Sequence, residues 1–195
     1  RSFSRFPSKV GLTDNKVFEG WHETNDVDNG NIARHTKTPD LSRFEMIYSG
    51  PHFFVSNPLY KTPIQNSRLN SDYEAIDLTK IDSDFISKTN YIPTNVTAGY
   101  ASIIPGFEIG KNEQGQPIYD NWFDYYKLGF RKMLGQANER TLIGAILPPN
   151  SSHINGVISV TFKALHHLIE FTGLTSSLVL DFFIKTLAKA NLYDD

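Results

Sequence analysis

Residues 139–162 read Glu-Arg-Thr-Leu-Ile-Gly-Ala-Ile-Leu-Pro-Pro-Asn-Ser-Ser-His-Ile-Asn-Gly-Val-Ile-Ser-Val-Thr-Phe, and this stretch decides the fold. Its residues 142–147 are a near-continuous apolar run, which predicts a strand buried on both faces. The two prolines that follow end the strand, because proline has no N–H for the ladder and restricts the residue before it. Residues 150–155 then read as a polar loop, and residues 156–162 resume as a second apolar strand. We therefore predict a central core strand that opens into an exposed loop.

The sequence on either side of this stretch predicts an α+β fold. Residues 121–133 fit a helical stripe about as well as strand alternation, but Gly129 would cost a helix about 1 kcal/mol. We therefore expect a strand at 124–132 that pairs with residues 142–147 through a short loop. Further strand patterns lie upstream, at residues 44–48, 52–55, 73–78 and 100–105.

The C-terminal part of the chain changes to a helical period. Its apolar residues predict two helices broken near Gly173, and residues 175–177 supply an N-cap for the second. The expected body is thus a mixed, largely antiparallel β-sheet with C-terminal helices. Residues 1–43 are polar and rich in turn signals, so we expect them to be an irregular arm that packs on a single body formed by residues 44–195.

Composition narrows the class of protein. The 195 residues fit one domain with a sizeable core, and an aromatic content of 13% is typical of an ordered chain. The absence of cysteine excludes disulfides, cysteine-ligated zinc and thiol catalysis, and it suits a reducing, cytoplasmic compartment. No run approaches the roughly 18 apolar residues of a membrane span. The chain begins Arg-Ser-Phe-Ser, with neither an initiator Met nor a signal peptide, so we expect a fragment of a longer protein.

Charge is distributed unevenly along the chain, although the net charge is only −2. Residues 46–71 contain no acid, residues 72–124 carry nine acids against three lysines, and residues 125–169 carry one acid against five lysines and arginines. A polyanion would be met by the first and third of these blocks rather than by the whole surface. Clustering on solvated faces would give the same pattern, so both interpretations stay open.

The two acid-poor blocks supply the candidate binding residues. Lys61 and Arg68 lie in loop sequence that suits phosphate or base-edge contacts. Arg131 and Lys132 are adjacent, so on a strand only one of them can face a ligand. Arg140, beside Glu139, would serve either as a surface ion pair or as a phosphate contact. The histidines and Asn155 are candidate readers of bases, and the full predicted set is His52, Lys61, Arg68, Arg131, Lys132, Arg140, His153 and Asn155.

Catalytic and metal-binding patterns are weaker. Asn57-Pro58-Leu59-Tyr60 approaches the Asn-Pro-Pro-Tyr turn of N6-adenine methyltransferases, but it lacks the second proline and a Gly-rich cofactor turn upstream. A nuclease would need an acid-x-Lys triplet downstream of Pro39-Asp40, and none follows. His166 and His167 are neighbours rather than four residues apart, so we predict no metal site there.

Three stretches together resemble the target-recognition (specificity) domain of bacterial restriction–modification enzymes. The closest likeness is to fused type II enzymes whose methyltransferase half modifies adenine at N6. The first stretch is residues 49–63, Ser-Gly-Pro-His-Phe-Phe-Val-Ser-Asn-Pro-Leu-Tyr-Lys-Thr-Pro. The second joins Tyr-Lys-Leu-Gly-Phe-Arg-Lys-Met at 126–133 to the Glu-Arg-Thr, apolar strand and Pro-Pro pattern of 139–149, followed by His153-Ile-Asn155. The third is the helical sequence 174–192.

This resemblance implies a module that sits in double-stranded DNA and reads its sequence. Adenine methylation and cleavage would be carried out by covalently linked methyltransferase and nuclease domains. Those domains would hold S-adenosylmethionine and Mg²⁺, with no cofactor in the present chain and no membrane partner. Arg140 and Pro148 correspond to family positions, but no base contact carries over. Two other interpretations remain, a methyltransferase fragment built on residues 57–60 and a carbohydrate-binding or interaction domain that uses Trp122, Tyr125 and Tyr126.

Overall fold

The computed structural model describes residues 5–69, 71–94, 100 and 104–192. The described residues form twelve strands and four α-helices. The strands are β1 Asn15–Phe18, β2 Ile32–Lys37, β3 Met46–Tyr48, β4 Lys61–Pro63, β5 Tyr73–Ala75, β6 Thr89–Pro93, β7 Pro105–Lys111, β8 Pro117–Asn121, β9 Lys127–Arg131, β10 Gly144–Leu147, β11 Ser151–His153 and β12 Val157–Phe162. The helices are α1 Phe6–Lys9, α2 Asn25–Asp28, α3 Leu165–Thr175 and α4 Leu178–Thr186. The architecture is α+β, as the sequence predicts.

The largest sheet has four antiparallel strands in the order β1-β12-β9-β10. Leu128 of β9 lies opposite both Ile146 of β10 and Val160 of β12. The predicted pairing is therefore confirmed, although the strands are shorter than the predicted ranges 124–132 and 142–147, since β9 spans Lys127–Arg131 and β10 spans Gly144–Leu147. The two strands follow one another along the chain and are joined by residues 132–143, and the entropic cost of closing a loop grows only slowly with its length.

The two inner strands of this sheet are β12 and β9, and β10 lies at its edge, which corrects the prediction that the apolar run 142–147 is the central strand. All six residues of β12 are buried, between β1 on one side and β9 on the other. Among the strands that the structure describes, β10 pairs with β9 alone, and its Ile146 is 38% exposed. The apolar runs at 142–147 and 156–162 look alike in sequence, because an apolar pattern does not indicate whether a strand will have one neighbouring strand or two.

Residues 150–155 do not form an exposed polar loop as predicted. Ser151–His153 is β11, which pairs in parallel with β3, and all three of its residues are buried. Their polar atoms are satisfied internally: Ser151 Oγ donates to the carbonyl of Pro148 at 2.6 Å, and Trp21 Nε1 donates to Ser152 Oγ at 3.0 Å. Polar side chains with such partners can be buried without an unmet hydrogen bond.

The other predicted strands have mixed outcomes. The patterns at 44–48 and 73–78 are confirmed in part, as β3 and β5. Residues 52–55 are not a strand, because a 3₁₀ turn at Gly50–His52 occupies the start of that range. Of the pattern at 100–105, residues 101–103 lie outside the described residues, and β7 begins at Pro105 and forms a hairpin with β8. Residues 1–43 are less irregular than expected, since they contribute β1 to the large sheet and β2 to a two-stranded sheet with β6.

The C-terminal helices cover one face of the large sheet. α3 buries Leu168 and Phe171, and the Phe171 ring lies 5.5 Å from that of Phe162 on β12. The two predicted helices are present, and the break between them falls at Ser176–Ser177, a few residues after Gly173, near which it was expected. The expected N-cap is confirmed, since Ser177 Oγ accepts from the N–H of Leu180 at 3.2 Å. Within the described part of the chain, no single helix has the length and apolar character needed to cross a membrane. α3 and α4 meet those criteria only jointly, across a 63° bend.

Candidate nucleic-acid interface

An open cleft of about 520 Å³ lies where several chain segments end or turn. Its walls are the turn at residues 50–51, the start of β4, the end of β9 and the turn between β11 and β12. Four of the predicted site residues line it, namely Lys61, Arg131, Lys132 and Asn155. The fold thus brings the acid-free block and the later basic block to one concavity.

Backbone hydrogen bonds hold the β9 side of the cleft in place. The Arg131 N–H donates to the carbonyl of Ile143 at 2.9 Å, and the Lys132 N–H donates to that of Gly156 at 3.0 Å. Both Arg131 and Lys132 line the cleft, although strand alternation predicted that only one of them would face a ligand. Because β9 ends at Arg131, the alternation of side chains lapses at the next residue.

The three cations of the cleft differ in how they are held. Lys132 Nζ lies 2.8 Å from Glu19 Oε2 and 3.4 Å from Asn155 Oδ1, so it is tied to the wall. Among the residues that the structure describes, neither Lys61 nor Arg131 forms an ion pair. Two cations in the cleft are therefore available to an anionic ligand without first breaking an ion pair.

One acid, Glu23, also lines the cleft. The hydroxyl of Tyr91 donates to Glu23 Oε1 at 2.7 Å, and Arg34 in turn donates to the Tyr91 oxygen. Burial, followed by the adjacent Glu23 carboxylate, raises the pKa of Tyr91 well above its usual range, so the hydroxyl keeps its proton and remains a donor. Glu23, the one acid among the described lining residues, is thus held by the neutral Tyr91 hydroxyl, which is itself bonded to Arg34.

An aromatic pair stands at the rim of the cleft. The ring of Tyr60, which lines the cleft, stacks on that of Phe54 with centroids 5.0 Å apart and planes inclined by 30°. Both rings are partly exposed, at 37% for Tyr60 and 47% for Phe54, and Lys61 Nζ lies 5.3 Å from the Tyr60 centroid. Sequence reasoning considered Tyr60 only as part of a methyltransferase turn and did not select Phe54.

His52 does not reach the cleft, contrary to the prediction that it reads bases. Its side chain is fully buried, Nδ1 accepts from the Ser49 N–H at 3.0 Å, and Nε2 lies 3.0 Å from the carbonyl of Lys88. The Nε2 atom must carry the proton, because a carbonyl can only accept. Burial lowers the pKa of His52 to about 4, so the ring is neutral near pH 7.

His153 is likewise a core residue, which corrects the second histidine prediction. Its side chain is fully buried, with Nε2 2.7 Å from Ser159 Oγ and Nδ1 3.1 Å from the carbonyl of Ile154. Burial lowers its pKa to about 3. Both nitrogens of each histidine are thus used inside the protein, and neither ring is presented to a ligand.

The remaining two predicted residues lie outside the cleft. Arg140 has a largely buried side chain that donates to the carbonyl of Ser176 at 2.9 Å and lies 3.5 Å from Asp181, so it anchors α4. Arg68 is on an exposed loop, where its backbone N–H donates to Asp72 Oδ2 at 2.9 Å. Arg68 is accessible but is not part of the same concavity.

The geometry of residues 57–60 is that of a structural turn. Asn57 Oδ1 accepts from the N–H of Leu59 at 2.8 Å, and the N–H of Tyr60 donates to the carbonyl of His52 at 2.9 Å. The amide oxygen that a methyltransferase would use to hold an exocyclic amine is therefore already engaged within the turn.

The aromatic row proposed at residues 122–126 does not form. Trp122 is fully buried and half-buried Tyr125 contacts Phe107, so among these three only Tyr126 is exposed, at 47%. The Trp122 ring instead packs against Lys127, whose Nζ lies 4.3 Å from the ring centroid.

No group of three or more His, Asp or Glu side chains in the described ranges is arranged to hold a metal ion. Comparison with models of known protein families, with curated proteins and with solved structures gives no significant match to this chain.

Proposed function

We propose that this chain is a DNA-recognition module of a restriction–modification enzyme, and that the cleft is part of its DNA-binding surface. The observation that carries the proposal is the convergence of Lys61, Arg131, Lys132 and Asn155 on one open concavity. These residues come from distant parts of the sequence, so their meeting is a property of the fold.

The charge of the cleft supports an anionic ligand. Lys61 and Arg131 are not engaged in ion pairs with described residues, and guanidinium and ammonium groups are the usual partners of phosphate oxygens. Asn155 adds an amide, which can donate to and accept from a base edge. The cleft therefore offers cations for contacts to phosphate and an amide for a contact to a base.

The wider assignment rests on the resemblance of residues 44–192 to target-recognition domains. In that proposal the linked methyltransferase and nuclease domains carry out adenine methylation and cleavage, with S-adenosylmethionine and Mg²⁺ bound there. Double-stranded DNA is the partner of the present chain, and the setting is the cytoplasm.

The alternative, a catalytic adenine-N6 methyltransferase fragment, is less well supported. Asn57 is committed to the N–H of Leu59, which favours a structural role for the turn. Saturable binding of S-adenosylmethionine by this chain would favour the alternative instead.

Titration of a labelled mixed-sequence duplex at low ionic strength tests the proposal. We expect Lys61→Ala and Arg131→Ala each to weaken binding, with a larger loss in the double variant, because each removes a cation that no ion pair holds. Lys111→Ala removes an exposed lysine of β7 outside the cleft and serves as the matched control. Loss of affinity in Lys111→Ala equal to that in the cleft variants, or no binding by the wild type, would overturn the proposal.

A further inference from the structure

The cleft is concave, whereas the grooves of duplex DNA are read by elements that protrude. The major groove is roughly 12 Å wide and admits an α-helix or a two-stranded ribbon. A cleft of about 520 Å³ falls instead within the usual range for sites that enclose a small ligand. Such a space can surround a group that leaves the stacked duplex, but it cannot enter a groove.

The aromatic pair at the rim is presented by a rigid backbone. The Asn57 turn and the hydrogen bond from the Tyr60 N–H to the His52 carbonyl fix the chain before the ring, and the Ile76 N–H donates to the Tyr60 carbonyl at 3.1 Å. The stacked pair of Tyr60 and Phe54 is therefore already in place before a ligand binds, so binding does not carry the entropic cost of ordering it. Exposed aromatic faces of this kind stack on unpaired bases, at about 1–3 kcal/mol per base.

One cation lies beside this aromatic pair, and a second lines the same cleft. Lys61 follows Tyr60 in sequence, and its Nζ lies 5.3 Å from the Tyr60 centroid, while Arg131 lines the same cleft from the end of β9. Aromatic rings beside cations that lack ion-pair partners are the arrangement by which proteins hold single-stranded nucleic acid, since the ring takes the base and the cation takes the phosphate. Duplex DNA would use the cations but would leave the rings without a partner.

We propose that the cleft binds one unpaired nucleotide, with its base stacked on the Phe54–Tyr60 pair and its phosphate at Lys61 and Arg131. This inference rests on the proposed DNA-binding function and deepens it by specifying the form of the DNA. The ligand is a nucleotide outside the duplex stack, either in a single strand or at an unpaired position within a duplex.

Binding of three labelled mixed-sequence DNAs at low salt tests the inference. The probes are an intact duplex, the same duplex with one unpaired base, and a single strand. The expected result is that the second and third probes bind about tenfold or more tightly than the first, because only they satisfy the aromatic pair. Equal, salt-dependent binding of all three overturns the inference and leaves the DNA-binding function in place, whereas absence of binding to all three overturns both.

Substitution of Tyr60 supplies the matched variants. Tyr60→Ala is expected to remove the preference, with a loss of about 5- to 150-fold for the probes with an unpaired base that exceeds the loss for the intact duplex. Tyr60→Phe retains the ring and is expected to keep the preference, and Tyr60→Leu replaces it with apolar bulk should the alanine variant fail to fold. Tyr119→Ala, which removes a tyrosine of β8 that is 48% exposed, is the control. Equal losses for duplex and unpaired probes in Tyr60→Ala, or loss of the preference in Tyr60→Phe, would overturn the inference.

Discussion

The guanidinium of Arg140 lies 3.5 Å from the carboxylate of Asp181, and this pair joins α4 to the segment that leads into β10. The other carboxylate oxygen of Asp181 accepts from the N–H groups of Thr141 and Leu142, at 3.0 and 2.7 Å. Asp181 is 5% exposed, so these partners replace the water that an exposed carboxylate would contact. A cation that the sequence suggested for phosphate contact is thus used to hold a helix.

Replacement of Asp181 by Ala should lower the free energy of unfolding by about 2–4 kcal/mol, because two buried N–H groups lose their acceptor and Arg140 loses its counter-charge. Asp181→Asn keeps an acceptor oxygen and should cost less than Asp181→Ala. Urea unfolding of the two variants measures the difference. Equal stability of Asp181→Ala and the wild type would contradict the assigned role.

Stability should fall as the pH is lowered from about 6.5 towards 4. The pKa of His52 is lowered to about 4 and that of His153 to about 3 in the folded chain, whereas both have pKa values near 6.5 when unfolded. Between these limits the unfolded state binds protons that the folded state does not, so the unfolding free energy decreases with decreasing pH. For His52 the loss is on the order of 3 kcal/mol.

The measurement is urea unfolding at a series of pH values for the wild type and His52→Gln. The altered packing in His52→Gln changes stability by an amount that does not depend on pH, so the quantity to compare is the slope of unfolding free energy against pH. This slope should be shallower in His52→Gln than in the wild type. His35→Gln, at an exposed position, is the control. Parallel curves for the wild type and His52→Gln would show that the His52 ring takes up its proton over the same pH range in the folded and unfolded states, which would contradict the lowered pKa.

Lys127 is fully buried, with Nζ 2.7 Å from the carbonyl of Tyr125, and burial lowers its pKa to about 7. Lys127→Met should therefore stabilise the protein near pH 7, since the amine carries a desolvation cost that the thioether does not. Between pH 7 and about 10.4, the pKa of an unfolded lysine, the amine is protonated in the unfolded chain but largely neutral in the folded chain, so the stability of the wild type rises with pH. The gain of the variant over the wild type should accordingly shrink as the pH rises from 7 towards 10, and a gain independent of pH would be inconsistent with a desolvated amine.

Gly20 approaches the backbone of the cleft wall. At its φ of +89°, an added Cβ would lie 2.4 Å from the carbonyl carbon and oxygen of Ile154. Gly20→Ala should thus be destabilising by more than about 2 kcal/mol, as strain in φ adds to a backbone clash. Gly30 also has a positive φ of +70° but no heavy atom within 4 Å of an added Cβ, so Gly30→Ala isolates the conformational cost. Comparable thermal unfolding of the two variants would rule out the close approach.

Sequence reasoning recovered what depends on local pattern. The pairing of β9 with β10 follows from alternation in two strands that are consecutive along the chain, and the Ser177 cap follows from a capping residue next to its helix. The two acid-poor blocks contain Lys61, Arg131, Lys132 and Asn155, which line the cleft, and their role in binding stays a prediction. The capping residue lies next to the helix that it predicts.

The errors concern partners that are distant in sequence. His52 was interpreted as a base reader because the sequence around it does not indicate that its Nε2 will bond to the carbonyl of Lys88. Similarly, Glu19, which pairs with Lys132, lies 113 residues before Lys132 in the sequence. Likewise, β12 rather than β10 became central because β1 joined its far side from a segment that looked irregular. Polar residues become core residues when the fold supplies their hydrogen bonds, and the sequence pattern alone does not reveal those bonds.

The most direct test of the DNA-binding account is the salt dependence of binding. The slope of log K against log salt concentration counts the phosphates neutralised, and each lost contact lowers it by about 0.9. We expect a steep slope for the wild type, a decrease of about one for Lys61→Ala and for Arg131→Ala, and no change for Lys111→Ala. A flat slope for the wild type, or cleft variants whose slopes equal that of the wild type, would contradict the claim that the cleft meets DNA.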